Sequence, residues 1–257
     1  MAWSAKKIIN GAVNIFGYKI SKACDSRIDR VIDADETFLT IYKKCAAYAM
    51  APRERLYALY QAVKYIINAQ IRGDFVECGV WRGGNVMLIA YTLLQHNETM
   101  RKIWLYDTFA GMSEPTENDY WVTNKKIIRA DDKWKKMQSE NYNEWCYASL
   151  LEVEKNLNLT AYPRNNLHFI RGRVEETIPK FIPTTISLLR LDTDWYESTK
   201  HELTHLFPRL STNGVLLIDD YGSWVGSKRA TDEYFSRDCQ ILLTRIDEDS
   251  RIGIKIK

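Results

Sequence analysis

The sequence predicts an α/β fold: a mainly parallel, Rossmann-like sheet that ends in a C-terminal antiparallel hairpin, with helices before it and an insertion within it. Three observations predict it. From residue 74 onward, short apolar runs of strand length alternate with helical stretches, the pattern of a parallel sheet covered on both faces. The last two runs are joined by residues 248–251, too few for a crossover helix, so they must pair antiparallel. Several runs close on glycine or aspartate, at the carboxyl ends of strands where such sheets bind ligands.

Composition sets the outer bounds. The 257 residues, 46% apolar and 27% charged, suit one large domain with an added cap or lid. A net charge of +3 is too mild for a nucleic-acid partner, and no apolar run reaches the length of a transmembrane segment. Residues 1–20 lack the uninterrupted apolar segment of a signal peptide and are expected to form an amphipathic helix at a subunit contact. Cys24, Cys45, Cys78, Cys146 and Cys239 form an odd, widely spaced set with no C-x-x-C pair. They are expected to be reduced thiols in a cytoplasmic protein.

The elements follow in order. Residues 34–70 are expected to be helical, with Leu56, Leu59, Tyr60, Val63 and Ile66 or Ile67 at helical spacing after Pro52. They belong to an N-terminal helical cap, residues 1–70, before a sheet domain at 71–257. Strands are expected at 74–80, 102–108, 167–172, 186–192, 215–220, 241–246 and 252–256, and helices at 86–94, 197–207 and 227–236. Residues 111–163 are polar and poorly periodic, with one helix near 146–157, and form the insertion. A parallel sheet ending in such a hairpin suggests the class I methyltransferase variation on the Rossmann theme.

The strand ends carry the chemistry. ECGVWRGGN, residues 77–85, closes the first strand with Gly79, Gly83 and Gly84, where backbone can approach a ligand that a side chain would block. Its G-x-x-x-G-G spacing does not fit the G-x-G-x-x-G of dinucleotide folds. Asp107 closes the second strand, placed either to accept hydrogen bonds from a ribose diol or to cap a helix. Asp192 and Asp194 follow one later strand, and Asp219 and Asp220 the next. Four carboxylates at one sheet edge repel unless a cation sits between them, and oxygen-only ligation suits Mg²⁺, Mn²⁺ or Ca²⁺.

HELTH, residues 201–205, matches the H-E-x-x-H of zinc proteases. On a helix, Leu203, Leu206 and Phe207 share the face that must pack on the sheet, which sends His201 and His205 to solvent. No histidine follows His205 to serve as a third ligand. The string is expected to be a solvated helix face.

ECGVWRGGN, LYDTFAGM, WCYASL, GRVEETIP, LRLDTDWYEST and LLIDDYG occur in this order. With them the chain closely resembles the macrocin-type sugar O-methyltransferases over about residues 70–257. The resemblance implies S-adenosyl-L-methionine and Mg²⁺ as cofactors, a sugar hydroxyl of a glycosylated natural product or other glycan as acceptor, and a homodimer or higher homo-oligomer. Glu77, Gly79, Gly83, Gly84 and Asn85 would hold the methionine part of the cofactor. Asp107 and Thr108 would hold its ribose, and Gly172, Arg173 and Val174 would border its adenine. Asp192, Asp219 and Asp220 would ligate Mg²⁺. Asp194 would be the general base, with Asp192 beside it in the catalytic group, and residues 111–163 would form a lid over the sugar. Ser113 stands where the family pattern has proline, a departure confined to the lid. The same D-T-D and D-D carboxylates would also suit a metal-dependent glycosyltransferase or phosphotransferase, but that reaction leaves the 77–85 turn and Asp107 unexplained. A non-catalytic cofactor-binding scaffold leaves the acidic cluster unexplained.

Overall fold

The computed structural model describes residues 29–123, 126–236 and 241–257. The helix expected over residues 1–20, Cys24 and Cys239 lie outside them. Residues 30–34 form a turn in which the Asp29 carboxylate accepts from the Val31 and Ile32 amides at 3.0 and 3.1 Å. The main compact unit begins at Thr37.

Helix α1 spans Glu36–Cys45 and α2 spans Arg53–Asn68, started by Pro52 at its N-cap. Leu56, Leu59, Tyr60, Val63 and Ile66 are buried, so the apolar stripe turns in through Ile66 and not Ile67. Helix α2 packs on the helix that follows the first strand and on the sheet itself, although sequence spacing groups it with the N-terminal cap.

The sheet domain continues with β1 (Asp74–Cys78), α3 (Gly84–Gln95) and β2 (Ile103–Asp107). The insertion is better ordered than its sequence suggests. A hairpin of β3 (Tyr120–Thr123) and β4 (Lys126–Arg129) leads into α4 (Ala130–Lys136). Helix α5 (Leu150–Asn158) follows, with Ser149 accepting from the Glu152 amide as its N-cap. Then come β5 (Leu167–Arg171), α6 (Val174–Thr177), β6 (Ile186–Leu191) and α7 (Tyr196–Leu206). The chain ends with β7 (Leu210–Ile218), α8 (Val225–Phe235), β8 (Thr244–Arg245) and β9 (Arg251–Ile254).

The sheet order is β5-β2-β1-β6-β7-β9-β8. The first five strands are parallel, and β9 runs antiparallel to both β7 and β8. The run expected at 241–246 is mostly irregular: only Thr244–Arg245 forms a strand, and Ile241 makes a single bridge to Lys255. The chain builds outward from β1 through β2 to β5, then crosses to β6 on the other side of β1. That reversal opens a crevice over the carboxyl ends of β1 and β6. Gly79 and Asp192 follow directly on those two strands.

Candidate active site

The turn after β1 folds as it does because Gly79 adopts φ +81° and lies against the neighbouring strand end. A Cβ on Gly79 would come 2.0 Å from the Asp192 carbonyl oxygen, so no other residue fits this close approach. Asp107 braces the same turn from β2. Its Oδ2 accepts from the Val80 and Trp81 amides at 2.7 and 3.1 Å, and its Oδ1 accepts from the Phe109 amide at 2.7 Å. Burial raises the Asp107 carboxyl above its ordinary value, against the pull of those amides.

Gly83 and Gly84 do something different from what their sequence pattern suggests. A Cβ on Gly84 would lie 2.4 Å from the Tyr48 and Ala49 backbone, and one on Gly83 would lie 2.6 Å from Leu157 Cδ2. Their missing side chains let α3 pack against its own protein neighbours, and neither glycine lines the cleft. Asn85 does line it.

Arg190 organises the far side. It is the one charged residue of β6, a strand buried along its whole length, and a charge there needs partners. Its Nη1 donates to Glu77 Oε1 and Asp192 Oδ2, both at 2.6 Å, and its Nη2 donates to Asp219 Oδ1 at 2.7 Å. Arg55 of α2 grips the other oxygen of Asp219 at 2.7 Å, Asp247 at 2.5 Å and Asp249 at 2.6 Å. Asp219 therefore has both oxygens committed to arginines, which hold its carboxyl below the usual range despite burial.

The carboxylates that converge are Asp192, Asp194 and Asp220, each offering an oxygen within 4.8 Å of the others. Of the expected ligand set Asp192, Asp219 and Asp220, the first and last belong to this group. Asp219 points into the arginine pair, and Asp194, at a backbone φ of +67°, brings its carboxylate beside those of Asp192 and Asp220. Burial raises the Asp194 carboxyl to about 7, and burial with Asp194 and Asp219 nearby pushes Asp220 well above its ordinary range. Three crowded carboxylates with raised proton affinity are a hard-oxygen site suited to a divalent cation. Among the described residues no other such group occurs.

Two adjoining cavities make one cleft, because Gly79, Asp107, Gly111, Met112 and Asp192 line both. The smaller, about 430 Å³, runs past Thr108, Gly172, Arg173 and Val174. The larger, about 1090 Å³, holds Asp192, Asp194, Asp219 and Asp220. Asn85 Oδ1, on the cleft wall, is a buried acceptor with no hydrogen-bond partner, which fits an ammonium group arriving there. Glu77 Oε2 also has none, but Glu77 is completely buried, lines neither cavity and reaches the wall through the Asn85 amide at 2.9 Å.

The family described as Macrocin-O-methyltransferase (TylF) matches residues 15–252. The chain belongs to this O-methyltransferase family. It is 33% identical over 204 residues to demethyldecarbamoylnovobiocin O-methyltransferase of Streptomyces niveus, covering 79% of this chain and 74% of that one. It is 30% identical over 210 residues to mycinamicin III 3''-O-methyltransferase of Micromonospora griseorubida, covering 81% and 77%. The solved structure of the O-methyltransferase NovP superimposes with a TM-score of 0.71 at 30% identity, over 82% of this chain and 83% of that one. Family membership makes the chain an O-methyltransferase and displaces the glycosyltransferase and phosphotransferase reading of its acidic motifs.

In this O-methyltransferase the insertion and the connections after β6 and β7 together form an aromatic wall that sequence reading missed. Trp145, Trp195 and Trp224 pack together, with Trp195 and Trp224 ring centres 4.9 Å apart. Trp145 and Trp224 face the cleft beside Met112, Cys146 and Lys133, whose Nζ lies 3.8 Å over the Trp145 ring. Arg55 and Arg190 were also missed, although an arginine in the otherwise apolar run ISLLRL was a readable signal.

Among the described residues no third metal-ligating side chain is gathered with His201 and His205, and the HELTH string is less exposed than expected. His201 and His205 are half-buried, and His201 Nε2 lies 3.0 Å from the Ile178 carbonyl. Glu202 between them is completely buried. It shares a face with Thr199, Leu203 and Leu206, the face that packs inward.

Proposed function

We propose that this O-methyltransferase moves the methyl group of S-adenosylmethionine to a sugar hydroxyl of a glycosylated natural product, with Mg²⁺ held at the cleft floor. The observation that carries this is the union, in one cleft, of the glycine and Asp107 cavity with the Asp192, Asp194 and Asp220 cluster. The names of the two curated relatives, a demethyldecarbamoylnovobiocin and a mycinamicin III methyltransferase, support a glycosidic acceptor.

Asn85, backed by Glu77, would take the cofactor's ammonium, and Gly79 would give it close backbone approach. Asp107 and Thr108 would meet the ribose, with Gly172, Arg173 and Val174 along the adenine. Asp192 and Asp220 would hold Mg²⁺, and Asp219 would anchor them through Arg190 and Arg55. A divalent cation held there would supply the Lewis acidity that makes a sugar hydroxyl easier to ionise. Asp194, on the same rim, accepts the hydroxyl proton as general base. The tryptophan wall orients the sugar and excludes water, so the chain contributes alignment more than covalent chemistry.

The test is transfer of labelled methyl from S-adenosylmethionine to a panel of deoxysugar glycosides, with EDTA and with Mg²⁺. Incorporation that stops in EDTA and returns with Mg²⁺ is expected. Asp194→Asn should slow the chemical step by roughly 10²–10⁴-fold without rescue by excess Mg²⁺, whereas Asp192→Asn should be partly rescued. No binding of S-adenosylhomocysteine, or turnover indifferent to EDTA, would overturn the proposal.

A further inference from the structure

We propose that Glu202 is a positioning residue that holds Thr193 and, through it, the turn carrying Asp192 and Asp194. This rests on the metal-site reading above. Glu202 has no exposed surface, and a carboxylate in such a place is costly unless its oxygens are bonded. The single Thr193 hydroxyl donor is shared between the two Glu202 oxygens, at 3.0 and 3.1 Å. The Cys78 thiol, at the end of β1, neighbours the same carboxyl group and is equally buried. Glu202 therefore joins three elements at one point: the end of β1, the turn after β6, and α7, which carries it.

That turn needs holding. Asp194 adopts φ +67°, a region that a non-glycine residue keeps only when its surroundings impose it. The Trp195 amide closes back on the Thr193 carbonyl at 2.7 Å, and the Asp192 amide donates to the Cys78 carbonyl at 2.9 Å. These backbone bonds fix the two sides of the turn, and Glu202 fixes the side chain at its centre. A leucine at position 202 would satisfy the inward face of α7 equally well by hydrophobicity. The carboxylate adds the one thing leucine lacks there, an acceptor for Thr193. Of the string HELTH, the functional letter is then the glutamate, acting from beneath the acidic cluster and not as a base beside zinc.

The experiment measures Mn²⁺ binding and S-adenosylhomocysteine binding to the purified full chain by calorimetry. Thr193→Val and Glu202→Leu remove the bond; Thr193→Ser and Glu202→Gln keep a donor and an acceptor. Mn²⁺ affinity should fall about 10-fold or more in the first two, as when partners of metal ligands are lost. It should be retained in the second two. The double variant Thr193→Val/Glu202→Leu should bind no more weakly than the weaker single variant, because one interaction is removed twice. Glu202→Leu should bind S-adenosylhomocysteine as the wild type does. Equal loss of both ligands marks a general structural defect and overturns the proposal, as does unchanged Mn²⁺ affinity in Thr193→Val. If Glu202→Leu does not fold, the contrast between Thr193→Val and Thr193→Ser decides. A wild type that binds no Mn²⁺ overturns the metal reading itself, an outcome distinct from equal binding by wild type and variants.

Discussion

Arg190 sets the charge balance of the site. It is 2% exposed and touches Glu77, Asp192 and Asp219. Removing it leaves buried carboxylates without their cation, and breaking such a pair costs about 3–5 kcal/mol. Arg190→Gln should lose stability on that scale in urea unfolding, and a loss near zero would contradict the pairing. Asp194 makes a second prediction. Burial raises its carboxyl from 3.8 to about 7, with Asp192 and Asp219 adding to the rise. The folded chain then holds this proton more tightly than the unfolded chain. The resulting stability is full below the unfolded value and is lost as pH rises through about 7. In EDTA, wild-type stability relative to Asp194→Asn should therefore fall between about pH 4 and about pH 7. Mg²⁺ should flatten that difference, because a cation favours the ionised carboxylates. Parallel pH profiles for the two proteins in EDTA would reject the assignment.

Between elements, the decisive link is Arg55. It carries α2 to Asp219 at the end of β7, and to Asp247 and Asp249 in the connection between β8 and β9. The same connection is bound from the other side. Ser250 Oγ donates to Asp219 Oδ1 at 3.0 Å, and the Gly222 amide donates to the Asp249 carbonyl at 2.8 Å. Helix α2 was legible in the sequence from its apolar spacing. Its part in the site was not, because Arg55 meets a partner 164 residues away and a periodic pattern carries no information about such pairs. Arg55→Met should cost about 1.5–3 kcal/mol, the range for hydrogen bonds to charged groups. Hydrogen exchange at the Gly222, Asp249 and Ser250 amides should speed up in the variant. Unchanged exchange there would mean that Arg55 does not brace the loop.

For the molecule as a whole, the sheet order places the crevice where the chain reverses direction across β1. Both cavities open there. A ligand that binds only the folded state stabilises it by about 2.7 kcal/mol at a concentration of 100 Kd. At about 2–4 °C per kcal/mol for a domain of this size, that corresponds to a rise of roughly 5–11 °C in Tm. S-adenosylhomocysteine should produce such a shift, and Asp107→Ala should reduce it at the same ligand concentration. A wild-type Tm that S-adenosylhomocysteine leaves in place would argue against cofactor binding in this cleft. Among the described residues no helix is long and apolar enough to cross a membrane.

The sequence by itself determined the alternation of strands and helices, the closing hairpin, and the acidic and glycine-rich strand ends. These depend on local spacing, and strand ends collect at one edge of any parallel sheet. Tertiary structure decided which of those residues face the cleft. Gly83 and Gly84 were taken up by Tyr48, Ala49 and Leu157, contacts invisible in a turn pattern. Asp219 and Asp220 are neighbours in sequence, yet they diverge: one meets two arginines, the other joins Asp192 and Asp194. The string HELTH likewise holds four polar residues around one leucine, and only packing could bury Glu202 among them. Local spacing fixes what a segment becomes, whereas the partner of a charge is set by long-range packing, because a buried charge takes whatever counter-charge the fold brings within reach.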